Sequence, residues 1–432
     1  MTSSTLLLLP RDGFRYLTSD DAGTSGSIRF KRSDPDDLLL ISFITNATAG
    51  FQLALEPSSH ILNSGLTGGE GFWFRTSVEL NAWWFEIARR GDDVGVSFNE
   101  FAERLPKPLA DPGAIAYVVL TYAPDAVNPP YDETPIPEVA AWRVTRTGVF
   151  STPIAVEPES ISVAQLHPYW PVADLSSVTV MVVGVGSIGG AAATALAGYG
   201  VGQLLLVDPD RLMWHNLVRH VLPRRYVGRY KADALREHLR DQRGDTDIVP
   251  FRYDIIDHAD RIRGLLDGTD IVLCCADGVA ARRTASHLAR RANTPAILAC
   301  VLADGGIGEV IRLRPWPDHG CLLCRRQDLV DGGTLDPEPA LEADYGTGTL
   351  HRPMTAVGSD LFLVGDLAAK LTVSTVLETA GNFAHRLPGE HLTIGLQASR
   401  GWTGPFDLGY TGNMRWTPAG PPRPDCPTCG HP

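Results

Sequence analysis

Two groups of residues in this sequence have types and spacings that could carry chemistry. One is the stretch GVGSIGG, in which Gly184, Gly186 and Gly189 form the pattern G-x-G-x-x-G. The other is a pair of C-x-x-C motifs, CLLC and CPTC, whose members are Cys321, Cys324, Cys426 and Cys429. Glycine loops of the first kind hold phosphate groups with backbone amides, and four thiolates can hold one zinc ion. The sequence therefore predicts a nucleotide site and a metal site.

The glycine stretch lies where a nucleotide-binding turn would lie. It follows a predicted strand directly and opens a predicted helix at Ser187, and the next predicted strand ends in Asp208. Gly184 would permit the tight turn, and Gly186 would let N–H groups approach phosphate oxygens at the positive end of the helix. Asp208 would accept hydrogen bonds from ribose hydroxyls. The residues expected to bind the nucleotide are Gly184, Gly186, Ser187, Gly189 and Asp208; the alternative is a glycine turn without a ligand.

Alternating apolar runs and helical segments predict the fold from Val178 onward. The pattern is typical of an α/β protein with a doubly wound, Rossmann-like, mostly parallel sheet. The predicted strands are the runs VTVMVV, QLLLVD, IVPFRY, DIVLCCA and PAILACV. The segment from Ser187 to Tyr199 is a predicted helix, and Ala232, Leu235 and Leu239 share one face of another.

Residues 1–165 have a different composition and predict a separate α+β or mostly β domain. They contain no cysteine, and the runs DLLLISFI and AIAYVVLTY have the character of strands. The aromatic residues around Trp73 and Trp84 are expected in its core. We expect this accessory domain to recruit a substrate or partner, and residues 166–432 to form the second domain.

The segment VDPDRLMWHNLVRHVLPRRYVGRYKADAL separates the classes of nucleotide-binding protein. It resembles the ThiF/MoeB/HesA adenylating family, relatives of the ubiquitin-activating enzymes, which carries Asp-x-Asp, Asn-Leu-x-Arg and Gly-x-x-Lys in this order, and an aspartate at the end of a later strand. The matching residues are Asp208, Asp210, Asn216, Arg219, Gly228, Lys231 and Asp277. The resemblance covers about residues 165–432, and it implies an ATP-dependent adenylyltransferase in which Asp210 also binds the nucleotide and Asn216 belongs to the catalytic set.

The residue types suit the attack of a carboxylate on the α-phosphate of ATP. Negative charge builds up as one anion approaches another, so cations must be fixed in place beforehand. Arg219 could clamp phosphate oxygens and Lys231 could supply a compact charge, while Asp277 could hold Mg²⁺. The alternatives are that Arg219 and Lys231 are ordinary helix-face charges and that Asp277 is the N-cap of the following helix.

The resemblance also implies the substrate class. The acyl group would be the C-terminal carboxylate of a ubiquitin-like protein, a sulfur-carrier protein or a peptide, and a homodimer would be expected. Two departures from the family are visible: the segment HPYWPVADLSS has no arginine before the first strand, and no cysteine lies between Cys324 and Cys426 to form a thioester. The alternatives left open are a peptide-modifying enzyme of natural-product biosynthesis, a catalytically inactive nucleotide-binding scaffold and an NAD-dependent oxidoreductase.

The two C-x-x-C motifs predict a closed, structural zinc site. Because they stand far apart in the sequence, one ion bound to all four thiolates would fasten the C-terminal tail to the nucleotide domain. The alternative is two redox-active or disulfide-linked pairs. Between them, the polar, glycine-bearing segment from Arg325 to Ser359 is expected to be a crossover loop over the substrate tail, or else a linker.

Composition narrows the partners and the compartment. The chain has 432 residues and a formal net charge of −12, with basic residues scattered, so a nucleic-acid partner is not expected. No apolar run is long enough to span a bilayer, and the seven cysteines do not have the pattern of a secreted disulfide scaffold. These features favour a cytoplasmic protein.

Overall fold

A computed structural model describes most of the chain as two compact units, Met1–Ile161 and Ser162–Pro432. The described residues are 5–33, 37–46, 52–54, 67–91, 94–126, 136–160, 162–242, 245–315, 317, 319–334, 356–398 and 401–429. Within these ranges, no helix has both the length and the apolar character needed to cross a membrane.

The first unit is a mixed β-sheet with helices on both faces. Its strands are β1 (Leu6–Leu9), β2 (Ser25–Ser33), β3 (Leu38–Thr45), β4 (Gln52–Ala54), β5 (Thr67–Arg75), β6 (Gly95–Val96), β7 (Tyr117–Tyr122), β8 (Val139–Thr145), β9 (Gly148–Thr152) and β10 (Ile154–Val156). Its helices are α1 (Arg11–Thr18), α2 (Val78–Arg90) and α3 (Phe98–Ala102). Among the described residues the strand order is β10-β1-β3-β2-β5-β7-β8-β9-β6, with β4 paired to β3. This is the predicted α+β class.

Adjacent aromatic residues of β5 build the two cores of this unit. Successive side chains of a strand point to opposite faces, so Trp73 and Phe74 enter different cores. Trp73 packs with Leu17 of α1 on one face, and Phe74 packs with Trp84 of α2 on the other. Trp73, Phe74 and Trp84 are all buried, which confirms their predicted place in the core.

The second unit is a sheet that is parallel over five strands and antiparallel over three. Its strands are β11 (Thr179–Val183), β12 (Gln203–Val207), β13 (Asp247–Phe251), β14 (Ile271–Cys274), β15 (Ala296–Leu302), β16 (Ile307–Leu313), β17 (His391–Gly395) and β18 (Met414–Thr417). The described order is β13-β12-β11-β14-β15-β16-β17-β18, and the pairs from β13 to β15 are parallel. This is the doubly wound arrangement that the sequence predicts.

Helices cover both faces of this sheet. They are α4 (Val172–Ser176), α5 (Ser187–Tyr199), α6 (Lys231–Gln242), α7 (Ala259–Leu266), α8 (Val279–Arg291), α9 (Leu322–Asp331) and α10 (Gly358–Thr379). Helices α5, α6 and α10 share one core with Val180 and Val182 of β11, and α7 and α8 share the opposite core with Met181 and Val183. Because β11 is buried on both faces, its sequence is a continuous apolar run rather than an alternating one.

A close approach of α10 fixes the position of α5. A Cβ atom added to Gly365 of α10 would lie 2.5 Å from the backbone oxygen of Ile188 in α5, so only glycine fits there. The two helices therefore pack backbone to backbone near the first turn of α5, which is the turn that faces the candidate nucleotide site.

The predicted crossover segment is partly helical. Residues 325–331 lie in α9 and residues 358–359 begin α10, so the expectation of a loop is wrong at both ends. Helix α9 continues because Arg326 packs inward and pairs with the buried carboxylate of Glu309 on β16. Residues 335–355 lie outside the described residues, and the role of this segment over a substrate stays a prediction.

Candidate nucleotide site and cysteine cluster

The candidate site lies at the carboxyl edge of the parallel strands, between β11 and β14. Strand order reverses at this point, because β12 and β13 extend from one side of β11 while β14 and β15 extend from the other. Loops at such a switch point diverge and leave a crevice in which α/β proteins bind ligands. The loops after β11, β12 and β14 carry most of the predicted site residues.

Two of the three glycines are required by packing. Gly184 has a φ of +78°, and a Cβ added there would lie 2.8 Å from the backbone nitrogen of Ala276, which follows β14. A Cβ at Gly189 would lie 1.8 Å from the carbonyl oxygen of Gly184. The turn and the first turn of α5 therefore press against each other and against the next strand, which explains both glycines without a ligand.

Gly186 is different, because no packing contact requires a glycine at this position. It caps α5 with a φ of −73°, which any residue can adopt, and a Cβ added there would meet nothing within 4 Å. The space beside it is open, and the backbone N–H groups of Ser187 and the residues after it begin α5 there. A helix N-terminus with open space beside it is suited to bind an anion.

Asp208 joins the glycine loop to the loop that follows β12. Its Oδ2 accepts a hydrogen bond from the Val185 N–H at 2.8 Å, and its Oδ1 accepts one from the Asp210 N–H, also at 2.8 Å. The carboxyl group is buried, and burial raises its pKa to about 6. Both oxygens thus have backbone partners, and the predicted contact of Asp208 with a ribose stays a prediction.

Lys231 lies among carboxylates from two separate segments, the loop after β12 and the loop after β14. Its Nζ donates to Oδ2 of Asp210 at 2.8 Å. Burial opposes the charge on Lys231, but the nearby carboxylates of Asp208, Asp210 and Asp277 outweigh it and raise the pKa of this ammonium group. The structure therefore brings together four predicted site residues from a stretch of 70 positions of the sequence. Three of them, Asp208, Asp210 and Asp277, carry a carboxylate, and only Lys231 carries an ammonium group.

Asp277 is exposed in the loop between β14 and α8. The N-cap of α8 is Gly278, and no side chain caps this helix, so Asp277 is not the helix cap that was one alternative. The Arg282 guanidinium donates through Nη1 to the backbone oxygen of Asp277 at 3.4 Å, which ties the loop to α8. Among the described residues, the Asp277 carboxylate accepts no hydrogen bond, so it is available to a cation.

Arg219 and Asn216 lie on the strap that connects β12 to α6. Asn216 accepts the Met213 N–H at 2.8 Å and holds a short turn, and its carbonyl oxygen accepts the Arg219 N–H at 2.9 Å. A Cβ on Gly358, the first residue of α10, would lie 3.1 Å from the Cα of Arg219. Within the described ranges, the guanidinium of Arg219 makes no ion pair.

His220 is a site residue that sequence reasoning missed. It follows Arg219 directly, is 8% exposed, and lies with its Nε2 3.0 Å from the carbonyl oxygen of Val185, the residue between Gly184 and Gly186. Burial lowers its pKa to about 4, so the imidazole is neutral. The only signal in the sequence is its place beside Arg219, because no periodic pattern marks it.

The four cysteines of the two C-x-x-C motifs form one buried cluster. All four Sγ atoms lie within 4.8 Å of one another. The Sγ of Cys321 is 3.9 Å from that of Cys324 and 3.5 Å from that of Cys426, whereas a disulfide would need about 2.05 Å. Tetrahedral zinc with Zn–S bonds of about 2.3 Å separates its sulfurs by about 3.8 Å. The donor set and its spacing therefore fit zinc.

Arg423 attaches the C-terminal tail to α9 beside this cluster. Its backbone N–H donates to Sγ of Cys324 at 3.4 Å. Its guanidinium pairs with Asp328 at 3.0 Å and with Asp331 at 2.8 Å. On the other side, Thr428 of the CPTC motif lies 3.4 Å from the Nδ1 of His287 in α8. The cluster thus joins α8, α9 and the tail.

Known families and proteins are similar to parts of this chain. The family model described as the ThiF family matches residues 163–387. The chain is 37% identical over 144 residues to the adenylyltransferase and sulfurtransferase uba4 of Aspergillus fumigatus, covering 33% of this chain and 29% of that protein. It is 30% identical over 146 residues to the sulfur carrier protein ThiS adenylyltransferase of Escherichia coli, covering 34% of this chain and 57% of that protein.

Among solved structures, the chain is similar to E. coli MccB determined with ATP. The TM-score is 0.43 and the identity 20%, over 60% of this chain and 68% of that one. The first curated relatives are matched over less than two thirds of their own length, so the similarity covers a part of each protein.

Proposed function

Since this chain belongs to the ThiF family, we propose that it is an ATP-dependent adenylyltransferase, which activates a C-terminal carboxylate as an acyl-adenylate. The observation that carries the proposal is the environment of Lys231, an ammonium among the carboxylates of Asp208, Asp210 and Asp277, of which Asp208 also holds the glycine loop that precedes α5. A triphosphate supplies negative charge for Lys231, and Mg²⁺ supplies positive charge for the carboxylates.

In the proposed reaction, an oxygen of the substrate carboxylate attacks the α-phosphorus of ATP. The bond from this phosphorus to the bridging oxygen breaks, and pyrophosphate leaves with the electron pair. The amides that begin α5 at Ser187 bind phosphate oxygens, and Lys231 and Arg219 stabilise the charge that develops on them. Asp277 would hold Mg²⁺, which neutralises phosphate charge when bound. Asp208 and Asp210 keep the glycine loop and Lys231 in register through their hydrogen bonds.

The proposed substrate is a small protein or peptide with a free C-terminal carboxylate. The name of one relative states that it adenylates the sulfur carrier protein ThiS, which favours a sulfur-carrier or ubiquitin-like protein here. No cysteine lies between Cys324 and Cys426 in the sequence, so the acyl-adenylate would pass directly to an acceptor. Residues 1–161 would recruit the substrate or the acceptor, and a homodimer is the proposed assembly.

The cysteine cluster is proposed to hold structural zinc. Cys321, Cys324, Cys426 and Cys429 would occupy all four positions of a tetrahedral ion, and such a closed site leaves no position for substrate. Its role would be to keep the tail on α9 and α8, the helix that begins beside Asp277.

Exchange of labelled pyrophosphate into ATP tests the proposed activity. The full chain would be given, in separate reactions, small proteins that end in Gly-Gly and short peptides with free C-termini. We expect exchange with a member of one set, dependent on Mg²⁺ and abolished when the C-terminus is amidated. Binding of NAD with hydride transfer, and no exchange with either set, would contradict the proposal in favour of an oxidoreductase.

A further inference from the structure

The peptide units on both sides of Val185 are held by two side chains from different segments. The Val185 N–H donates to Oδ2 of Asp208 at 2.8 Å. Its carbonyl oxygen lies 3.0 Å from Nε2 of His220, which comes from the strap after β12, 35 positions away in the sequence. Val185 is fully buried, so its backbone groups have no access to water there. The backbone groups of Val185, at the centre of the glycine loop, therefore depend on Asp208 and His220 as hydrogen-bond partners.

A third contact sets the orientation of the His220 ring. Its Nδ1 accepts a hydrogen bond from the Leu222 N–H at 3.1 Å. Because a neutral imidazole carries one proton and Nδ1 acts as the acceptor, the proton resides on Nε2 and is donated to the Val185 carbonyl oxygen. The ring is 8% exposed and both nitrogens have partners, so it has no free nitrogen to exchange protons with a substrate.

The peptide that follows Val185 has open space on its Gly186 side. That peptide links the carbonyl held by His220 to the N–H of Gly186, and no protein atom lies within 4 Å of a Cβ placed on Gly186. Without a donor, the buried carbonyl would be left unsatisfied, which is unfavourable, and rotating the peptide to find another partner would also turn the Gly186 N–H. His220 thus controls the direction of an amide that borders the open space.

We propose that His220 is a positioning residue of the glycine loop. It fixes the peptide between Val185 and Gly186 so that the amides at the start of α5 face the nucleotide phosphates. The inference rests on the proposed function of this site. Because His220 is bonded along the chain to Arg219, the same strap that orients the loop also carries the proposed phosphate-binding arginine. The contact of His220 with Val185 would therefore hold the amides at the start of α5 and the Arg219 side chain in fixed positions relative to each other.

Two variants of similar volume separate positioning from filling of space. His220→Gln keeps an N–H donor near the position of Nε2, whereas His220→Leu has none. His385→Ala is the control, because His385 packs on Trp170 and makes no described contact with the loop. Each protein is titrated with ATP and Mg²⁺ by calorimetry. The ligand-free proteins are also compared by amide hydrogen exchange over residues 184–190.

We expect His220→Leu to raise the Kd for ATP about tenfold or more and to speed loop exchange by a similar factor, as loss of a buried hydrogen bond requires. His220→Gln and His385→Ala should stay within about threefold of wild type. Equal Kd values for wild type and His220→Leu, or equal losses for Leu and Gln, would overturn the proposal.

A measurement on the wild-type protein keeps the inference testable if His220→Leu does not fold. Histidine-selective ¹⁵N spectra report which ring nitrogen carries the proton. The proposal requires a slowly exchanging proton on Nε2 of His220, and a proton on Nδ1 would refute it. Neither the spectra nor the exchange data need nucleotide. A wild-type chain that fails to bind ATP would therefore contradict the proposed function, while these two measurements would still test the contact of His220 with Val185.

Discussion

Lys231 and Asp210 meet twice in this structure. The backbone N–H of Lys231 donates to the carbonyl oxygen of Asp210 at 2.9 Å, and the ammonium of Lys231 donates to the Asp210 carboxylate at 2.8 Å. Asp210 is joined through its own N–H to Asp208, which in turn holds Val185. A lysine at the start of α6 is thereby held in register with the glycine loop at the start of α5.

The glycine loop offers a paired test of packing against binding. We expect Gly186→Ala to fold with a free energy of unfolding within about 1 kcal/mol of wild type, because the new Cβ meets no protein atom. The same Cβ would enter the space proposed for phosphate, so the Kd for ATP should rise about tenfold or more. Denaturant unfolding and calorimetric titration measure the two quantities.

Gly189→Ala is the contrasting variant. Its Cβ would lie 1.8 Å from the Gly184 oxygen, so the free energy of unfolding should fall by about 3 kcal/mol or more. Undiminished ATP affinity in Gly186→Ala would place the phosphates elsewhere, whereas a fully stable Gly189→Ala protein would contradict the loop geometry.

Asp277→Asn should remove turnover without harming the fold. The carboxylate is exposed and accepts no hydrogen bond among the described residues, so the free energy of unfolding should change by less than about 0.5 kcal/mol. Loss of the charge that would hold Mg²⁺ should reduce pyrophosphate exchange about a hundredfold or more. Asp267→Asn, an exposed aspartate at the opposite edge of the sheet, should exchange at the wild-type rate. An active Asp277→Asn enzyme would rule out the proposed metal ligand.

Removing one thiolate should release the metal from the cysteine cluster. Wild-type protein should contain about one zinc ion per chain by elemental analysis, and Cys426→Ser should contain little and lose about 3 kcal/mol or more of unfolding free energy. Cys300→Ala, a buried cysteine of β15 outside the cluster, should keep its zinc. Metal-free wild-type protein with two disulfides would instead support redox-active pairs.

The depressed pKa of His220 predicts a pH-dependent stability. Burial lowers this pKa from 6.5 to about 4, assisted by the charges of Lys231, Arg219 and His238. Between these pH values the unfolded chain binds a proton that the native protein does not, so unfolding free energy rises with pH across this interval and the gain is complete above about 6.5. The integrated effect is about 3 kcal/mol.

The comparison with His220→Gln isolates this contribution. Asp208 titrates in the opposite sense, because burial raises its pKa to about 6 and its contribution falls with rising pH, but it is present in both proteins. Urea unfolding should therefore give a wild-type minus Gln difference that rises from pH 4 to pH 6.5. A difference that stays flat across this range would show that His220 titrates normally in the folded protein.

Short sequence patterns correctly predicted the helix that follows the glycine loop and the family of the second unit. Helix α5 runs from Ser187 to Tyr199 as expected, because strands flank it and Gly200 ends it in the left-handed region. The family suggested by Asp208, Asn216, Arg219 and Lys231 is confirmed by the match over residues 163–387. The roles assigned to these residues remain predictions.

Features that depend on tertiary contacts could not be predicted. His220 meets Val185 only after the strap folds back over the glycine loop, and the strap has no periodicity to announce this. The ion pair of Arg326 with Glu309 could not be predicted either. Charged residues are expected at the surface, and the burial of these two depends on a partner that is distant in the sequence. That pair also explains why α9 extends into the predicted loop.

Binding of ATP by the full chain decides whether the glycine loop and Lys231 form a triphosphate site. The Kd should be measured by calorimetry with and without Mg²⁺, with NAD as the competing ligand, for wild type and Lys231→Met. We expect Mg²⁺-dependent ATP binding that NAD does not displace and that Lys231→Met weakens about a hundredfold. Tighter binding of NAD than of ATP, or wild-type affinity in Lys231→Met, would contradict this expectation.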